Sequence, residues 1–310
     1  MSDHDDPNHY LHNIRDFIRW GASRMNAAGL HFGHGTTNAI DEAAALVLHS
    51  LHLPPDLQGD YFQAALTPSE KQNILILLER RIQERKPAAY LMNRAWFMGL
   101  SFYVDERVLI PRSPIAELIE DHFEPWLTDP GAVRTILDLG AGCGCIGIAC
   151  AYAFPNANVD LSDVSADALA VAWRNIQEHH LQDRVEIIQS DLFAALGDRR
   201  YDLIISNPPY VSTEEMDRLP AEYRHEPALG LAGGPQGLAV VLAILRQAPA
   251  HLNEHGILVV EVGNAEYTLS ERFPEAPFVW LDFDWGGEGV FLITAEQLRA
   301  CGDMFEAGED

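Results

Sequence analysis

The chain has 310 residues, 47% of them hydrophobic, with 21 Lys and Arg against 46 Asp and Glu and a formal net charge of −25. That length buries a full core and leaves room for a second, smaller domain, while four cysteines are too few for a disulfide scaffold. No early segment has the basic start and apolar run of a secretion signal and no stretch approaches the ~20 apolar residues of a membrane span, so composition implies a cytoplasmic protein with no membrane partner and fixes no oligomeric state.

From Tyr10 to about Arg85, apolar positions recur at spacings of three and four: Ile14, Phe17, Ile18; Ala43, Leu46, Val47; Ile74, Leu75, Leu78, Ile82. This periodicity predicts amphipathic helices, broken at Leu53-Pro-Pro55 and Thr67-Pro68, with Thr67-Pro-Ser-Glu70 as a capped start. His31 and His34 fall between predicted helices, and no acid or Cys nearby completes a metal set. Residues 1–95 therefore form an N-terminal helical domain. Trp96 to Ile110 alternates around Gly99 and predicts a β-hairpin, so 96–112 is a linker.

Residues 113–310 read as an α/β domain. Strands are predicted at 135–140, 157–162, 184–190, 201–206 and 256–262, alternating with helices in the pattern of a parallel sheet wrapped on both faces. Two further strands are predicted at 278–284 and 289–294.

The charge is unevenly spread. Residues 1–95 carry nine Lys or Arg against eleven Asp or Glu, whereas 96–310 carry twelve against thirty-five, and no lysine follows Lys86. Such a domain repels nucleic acid and offers no phosphate-tracking surface, so no direct nucleic-acid binding is expected. It would steer a basic protein partner, although the same acidity also serves solubility alone.

Thr135-Ile-Leu-Asp-Leu-Gly-Ala-Gly-Cys-Gly-Cys-Ile-Gly147 runs an apolar strand into a glycine-rich turn and then a helix, Ile146 to Phe154. Gly140, Gly142 and Gly144 permit positive φ and close approach of backbone to a nucleotide cofactor. Gly142-x-Gly144-x-x-Gly147 also satisfies the dinucleotide fingerprint, which keeps NAD open as a ligand. Charge separates the two cofactors. A pyrophosphate favours a helix N-terminus free of acids, whereas S-adenosyl-L-methionine is net cationic, and here Asp138, Asp163 and Asp191 stand at or near three strand ends. Asp163 is placed to reach ribose hydroxyls in either cofactor class; Asp191 and Leu192 would flank the adenine. Cys143, Cys145 and Cys150 crowd this loop with no His at ligand spacing and read as small, reduced core residues, so no metal is expected.

The run Tyr201-Asp-Leu-Ile-Ile-Ser206 ends in Asn207-Pro208-Pro209-Tyr210. The Asn207 side-chain oxygen and the Pro208 carbonyl can both accept from one NH2 group, and the two prolines stiffen the loop and remove its own donors. Tyr210 can lie against a planar amide or base. In isolation the same four residues are equally a proline-rich turn after a buried strand.

Together, Asp138-Leu-Gly-Ala-Gly-Cys-Gly144, the Asp163 strand end, Ser190-Asp-Leu192 and the Asn-Pro-Pro-Tyr loop resemble the class I S-adenosylmethionine methyltransferases that modify amino groups. Lys86-Pro-Ala-Ala-Tyr-Leu91, Trp96 through Arg112 and Glu226-Pro-Ala-Leu-Gly-Leu-Ala-Gly-Gly234 are similar to the HemK-like protein glutamine methyltransferases. After Pro111-Arg112 the release-factor branch continues with an acidic, threonine-containing stretch. Ser113-Pro-Ile-Ala-Glu-Leu-Ile119 instead resembles the PrmB branch, which acts on large-subunit ribosomal protein L-three. The resemblance implies a seven-stranded Rossmann-like sheet closed by 278–284 and 289–294 as an antiparallel pair, residues 1–95 as a substrate-recognition domain, methylation of a glutamine amide nitrogen, S-adenosyl-L-homocysteine as product and a basic ribosomal protein as partner. Cofactor contacts would come from Asp138, Gly140, Gly142, Gly144, Asp163, Asp191, Leu192 and Asn207. Asn207, Pro208, Pro209 and Tyr210 would hold substrate, with Asn207, Pro208 and Tyr210 acting in catalysis and no side-chain base nominated. The alternatives are release-factor methylation, adenine-amino methylation, which lacks its basic groove here, and NAD-linked oxidation, which lacks a Tyr-Lys pair near the site.

Overall fold

The computed structural model describes residues 7–306, so the first six residues of the helical domain and the last four of the α/β domain lie outside the described residues. The chain divides into two compact units, one of residues 1–95 with 220–225 and one of residues 96–219 with 226–310. Sequence periodicity had placed 220–225 with the sheet.

In the first unit the helices are α1 (Ile14–Ala27), α2 (Ala39–Ser50), α3 (Pro68–Glu84) and α4 (Ala88–Met92). Their starts are set by side-chain caps. Asn13 accepts from the Asp16 N–H while Asp16 reaches back to the Asn13 N–H, and Thr67 and Glu70 form the same reciprocal box with Pro68 in the first turn. Phe17, Leu46, Val47, Ile74 and Leu78 from the predicted apolar stripes meet in one core, which Met25 joins. His31 and His34 lie in the connection between α1 and α2, and the His34 ring is 4.5 Å from that of Tyr223. The segment 220–225 is held here by charge. Glu222, fully buried, accepts from the His31 N–H at 3.0 Å and pairs with Arg85 at 2.9 Å; Arg81, also buried, pairs with Glu42 at 2.6 Å and donates to the His31 carbonyl. Hydrophobic periodicity carries no trace of this attachment, because polar groups make it.

The hairpin is shorter than alternation predicts. β1 (Ala95–Phe97) and β2 (Leu100–Phe102) turn at Met98-Gly99, and 103–110 form no strand. Asn175 of α7 (Ala166–Glu178) stands in for a strand partner: its Oδ1 accepts from the Tyr103 N–H at 2.7 Å and its amide donates to the Tyr103 and Cys143 carbonyls.

Beyond α5 (Ile115–Glu120) the second unit is a seven-stranded sheet wrapped by helices. Its strands are β3 (Thr135–Leu139), β4 (Asn158–Asp163), β5 (Val185–Gln189), β6 (Tyr201–Ser206), β7 (Leu252–Glu261), β8 (Val279–Trp280) and β9 (Val290–Thr294), in spatial order β5-β4-β3-β6-β7-β9-β8. β3 to β7 are parallel, β9 runs antiparallel to β7, and β8 pairs antiparallel with β9. This is the class I methyltransferase arrangement. The predicted strand at 278–284 forms ladder pairs at Val279 and Trp280, and the Leu281 N–H adds a bond to the Val290 carbonyl at 3.0 Å. Further on, the backbone N–H groups of Asp284 and Trp285 donate to Glu117 instead of to a strand.

The central strands are buried on both faces, so Ile136, Leu137, Ile204, Ile205, Leu258 and Val259 form continuous apolar runs, as a covered parallel sheet requires. Chain order reverses between β3 and β6. From β3 the chain steps outward through β4 to β5, returns to β6 on the other side and continues to β7, so the crevice at the carboxyl ends of β3 and β6 is the switch point.

Candidate active site

Both sequence motifs emerge at that crevice. The glycine loop links β3 to α6 (Cys145–Ala153), and Gly140, Gly142 and Gly144 all have positive φ, at 78°, 56° and 81°. At Gly140 and Gly142 an added Cβ would meet no heavy atom within 4 Å, so the space over the loop is open to a ligand. The loop is fastened to β4 from below, the N–H groups of Gly140 and Ala141 donating to the Ser162 carbonyl at 2.8 and 3.0 Å.

Asp163 ends β4 half-buried, accepting from the Gly142 N–H at 2.9 Å through Oδ2 and from the Ser165 N–H at 2.8 Å through Oδ1. An ionised carboxylate has about four acceptor sites, so capacity for hydroxyl donors remains. Asp138 is different. It is only 1% exposed and its Oδ2 accepts from the Gly147 N–H at 2.8 Å, holding the first turn of α6 against β3. Burial pushes its pKa up to about 7; the Gly147 hydrogen bond opposes that shift and the nearby Asp163 charge adds to it. Asp191 is exposed just beyond β5, and Leu192, at φ 47°, packs against the main core. The three free cysteines of the loop region, Cys143, Cys145 and Cys150, are buried. Among the described residues no group of three or more His, Cys, Asp or Glu could hold a metal ion.

Asn207-Pro208-Pro209-Tyr210 leaves the end of β6, where the Ser206 hydroxyl donates to the Leu139 carbonyl at 2.6 Å and ties the two motifs' strands together. Pro208 is buried; Asn207, Pro209 and Tyr210 are half-buried. Tyr210 is held on three sides. Its hydroxyl donates to Glu261 Oε1 at 3.0 Å, its backbone lies against Gly237, and its ring lies against Gly263. At Gly237 an added Cβ would stand 2.2 Å from the Tyr210 carbonyl oxygen, and at Gly263 2.7 Å from Tyr210 Cε2. The chain after Tyr210 then pairs with the loop at 231–234: the Val211 N–H donates to the Leu231 carbonyl and the Gly233 N–H to that of Val211, each at 2.8 Å. Gly233 thus has a place in the site.

Glu261, Ser113, Arg112 and Glu226 had no site role in the sequence reading, although the last three lie in the stretches that carry the resemblance. Glu261 ends β7 with 4% exposure, and besides Tyr210 it accepts from the Ser113 hydroxyl at 2.6 Å. Burial raises its pKa to about 7, against the opposing pull of Ser113, Tyr210, Arg112 and Asn207. Arg112 makes a two-pronged pair with Glu226, at 2.5 and 2.6 Å, and Glu226 also accepts from the Ile110 N–H. The rule that singled out Asp138, Asp163 and Asp191, an acid at the end of a buried strand, applies equally to Glu261 in Leu258-Val-Val-Glu261.

At the amino ends of β3 to β6, a surface cavity of about 650 Å³ lies beside the Arg199 pairs with Asp160 and Glu186. It lies at the ends of the strands opposite the motifs. Among the described residues no helix is long and apolar enough to cross a membrane.

A family model described as Methyltransferase small domain matches residues 121–222. The chain is 54% identical over 297 residues to the ribosomal protein uL3 glutamine methyltransferase of Xylella fastidiosa, covering 96% of this chain and 95% of that one. It is 47% identical to the protein of the same name from Francisella tularensis, covering 96% and 94%. Among solved structures, the 16S rRNA methyltransferase of T. thermophilus in complex with AdoMet and guanosine superposes with a TM-score of 0.45 at 21% identity, covering 65% of this chain and 49% of that one.

Proposed function

Because the chain belongs to the family of ribosomal protein uL3 glutamine methyltransferases, we propose that it methylates the side-chain amide nitrogen of a glutamine in ribosomal protein uL3, with S-adenosyl-L-methionine as donor, in the cytoplasm. The observation that carries this reading is the position of Asn207 and Pro208, at the carboxyl end of β6 directly beside the open glycine loop of β3. The residues present fit the donor. An open loop with left-handed glycines accommodates a nucleoside, and carboxylates at the ends of β3 and β4 and just beyond β5 suit a net cation better than a pyrophosphate. When bound, the donor supplies an electrophilic methyl on a positively charged sulfur.

In this reading Asp163 accepts from the ribose hydroxyls while keeping the Gly142 loop in place, and Asp191 and Leu192 flank the adenine. Asp138 faces the cationic end of the donor from beneath the loop. Asn207 Oδ1 and the Pro208 carbonyl accept the two N–H bonds of the substrate amide. An amide nitrogen is a poor nucleophile, since its lone pair is delocalised into the carbonyl. Two fixed acceptors orient that nitrogen and stabilise the positive charge it gains as its new carbon bond forms, a preorganised electrostatic effect combined with positioning. Tyr210 packs on the amide plane, and the proton then leaves the nitrogen for water. The helical unit serves substrate recognition, and the acidic second unit draws a basic protein toward the site.

Methyl transfer assays on isolated uL3, a peptide-chain release factor and duplex DNA test the proposal, with the labelled peptide mapped. Label is expected on a glutamine of uL3 and not on nucleic acid. Asn207→Ala should lower the transfer rate by roughly two to three orders of magnitude, by analogy with loss of one oxyanion-hole donor. Label mainly on release factor would move the chain to the sister branch, and label on adenine would overturn the protein-substrate reading.

A further inference from the structure

Among the described residues, the two most exposed large hydrophobic side chains are Trp285, at 72%, and Tyr267, at 71%. A single exposed aromatic is ordinary. These two flank one point of the chain, the crossing of Gly263 and Gly289, and that crossing backs the acceptor loop. The Gly289 carbonyl accepts from the Val262 and Gly263 N–H groups at 2.6 and 3.2 Å, and Gly263 lies against the Tyr210 ring. Tyr267 is in the first turn of the helix Ala265–Arg272, directly after Gly263. Trp285 stands four residues before Gly289, a reach of at most about 14 Å.

The Trp285 loop is held by its backbone. The N–H groups of Asp284 and Trp285 both donate to the Glu117 carboxylate at 2.9 Å. Gly287, at φ 111°, packs on Pro114, where an added Cβ would stand 2.7 Å from Pro114 Cβ. Ser113, next to Pro114, donates to Glu261, the carboxylate that holds the Tyr210 hydroxyl. The indole therefore stands in water on a fixed base that shares its supports with the acceptor loop. A base ordered in advance lowers the entropy lost when a partner binds.

The sign of the surroundings selects the occupant. Asp282, Asp284 and Glu288 are exposed in the same loop, and no Lys or Arg occurs between Arg272 and Arg299. An aromatic face beside carboxylates suits a cation on an apolar stem, which is an Arg or Lys side chain: the stem covers the ring and the charge meets the ring face and the acids. Resting on the glutamine-methylation reading above, we propose that Trp285 and Tyr267 form the docking surface for the protein substrate at the rim of the acceptor loop, with an Arg or Lys of uL3 that flanks the target glutamine seated on the Trp285 indole. The three acids speed encounter, and the ring holds the complex once formed.

The test is steady-state methyl transfer by the full chain over a range of isolated uL3, at saturating S-adenosyl-L-methionine. Trp285→Ala should raise the KM for uL3 roughly tenfold or more, the scale of an aromatic hot spot, with kcat at saturating uL3 and cofactor affinity by calorimetry close to wild type. Its melting temperature should match wild type, since the side chain is in water. Trp285→Phe keeps an aromatic face and should recover most of the loss. Tyr267→Ala should act in the same direction, and Trp173→Ala, an exposed aromatic at the opposite ends of the strands, should leave the KM unchanged. Asp282→Asn with Asp284→Asn and Glu288→Gln should flatten the fall of kcat/KM with salt, while Trp285→Ala keeps that slope. A Trp285→Ala KM within about twofold of wild type, or a loss confined to kcat, would overturn the docking surface and leave the functional reading standing. No transfer to uL3 by wild type would overturn the functional reading, and this occupant with it.

Discussion

Gly237→Ala should disable the methyl-acceptor loop without a contact to either substrate. The residue has φ 74°, and an added Cβ would lie 2.2 Å from the Tyr210 carbonyl oxygen and 3.2 Å from its carbon. A side chain in the left-handed region costs about 1–2 kcal/mol by itself. Carbon and a non-bonded carbonyl oxygen approach to about 3.3 Å, so Tyr210 or Gly237 must also retreat by roughly 1 Å. No flexible side chain can absorb that shift, because the atom in the way is backbone. A displacement of this size at a positioning element costs about a hundredfold in rate. Gly99→Ala separates the two effects: Gly99 has φ 72° with nothing within 4 Å of an added Cβ, so it carries the backbone strain alone. Single-turnover methyl transfer and thermal melts on wild type and both variants are the assay. Both variants should melt at lower temperature, and only Gly237→Ala should lose most of its rate while binding S-adenosyl-L-methionine nearly as wild type does. A Gly237→Ala rate within about threefold of Gly99→Ala would refute the reasoning.

Asp163→Ala should raise the KM for S-adenosyl-L-methionine with kcat at saturation nearly intact, since ribose contacts are made equally in ground and transition states; steady-state kinetics over cofactor concentration would reveal the opposite split. Arg81→Ala should destabilise the helical unit by about 3–5 kcal/mol, because it leaves the buried Glu42 carboxylate without its cation, whereas Arg81→Met with Glu42→Leu should cost less; denaturant unfolding of the three proteins measures the difference. Methyl transfer to uL3 below saturation should weaken as salt rises from 50 to 300 mM, on the scale of about tenfold, if the acidic second unit steers a basic partner, and rates measured across that series check it.

The parallel strands, both motif loops and the first-unit helices could be read in the sequence because each follows from local regularity: apolar runs, spacing of three and four, and the turn chemistry of glycine and proline. Three features escaped for one shared reason. Attachment of 220–225 to the helical unit rests on Glu222 reaching His31 and Arg85, partners 191 and 137 positions away. The shortened hairpin rests on Asn175, 72 positions beyond Tyr103. The second support of Tyr210 rests on Gly237 and Gly263, whose need for a bare Cα shows only once Tyr210 is in place. Each is a single polar or steric contact across a long separation, and no periodicity encodes such a contact.

Glu261 escaped differently, since the strand-end rule covered it, and the reason bears on how the site is built. The strand-end acids separate by burial. Asp163 is half-buried and Asp191 exposed, open to a ligand, whereas Asp138 and Glu261 are 1% and 4% exposed and burial raises the pKa of each to about 7. The buried two do matching work under the two motifs. Asp138 accepts from Gly147 and pins the helix that follows the glycine loop; Glu261 accepts from Tyr210 and pins the Asn-Pro-Pro-Tyr loop. A carboxylate is suited to this task because it accepts and never donates while ionised, which fixes the direction of every bond it makes. Burial sharpens that grip by removing water as a competitor, and the same burial brings the acid's titration to neutrality. Each visible motif therefore stands on an inner acid, and the strength of that support changes with pH near neutrality.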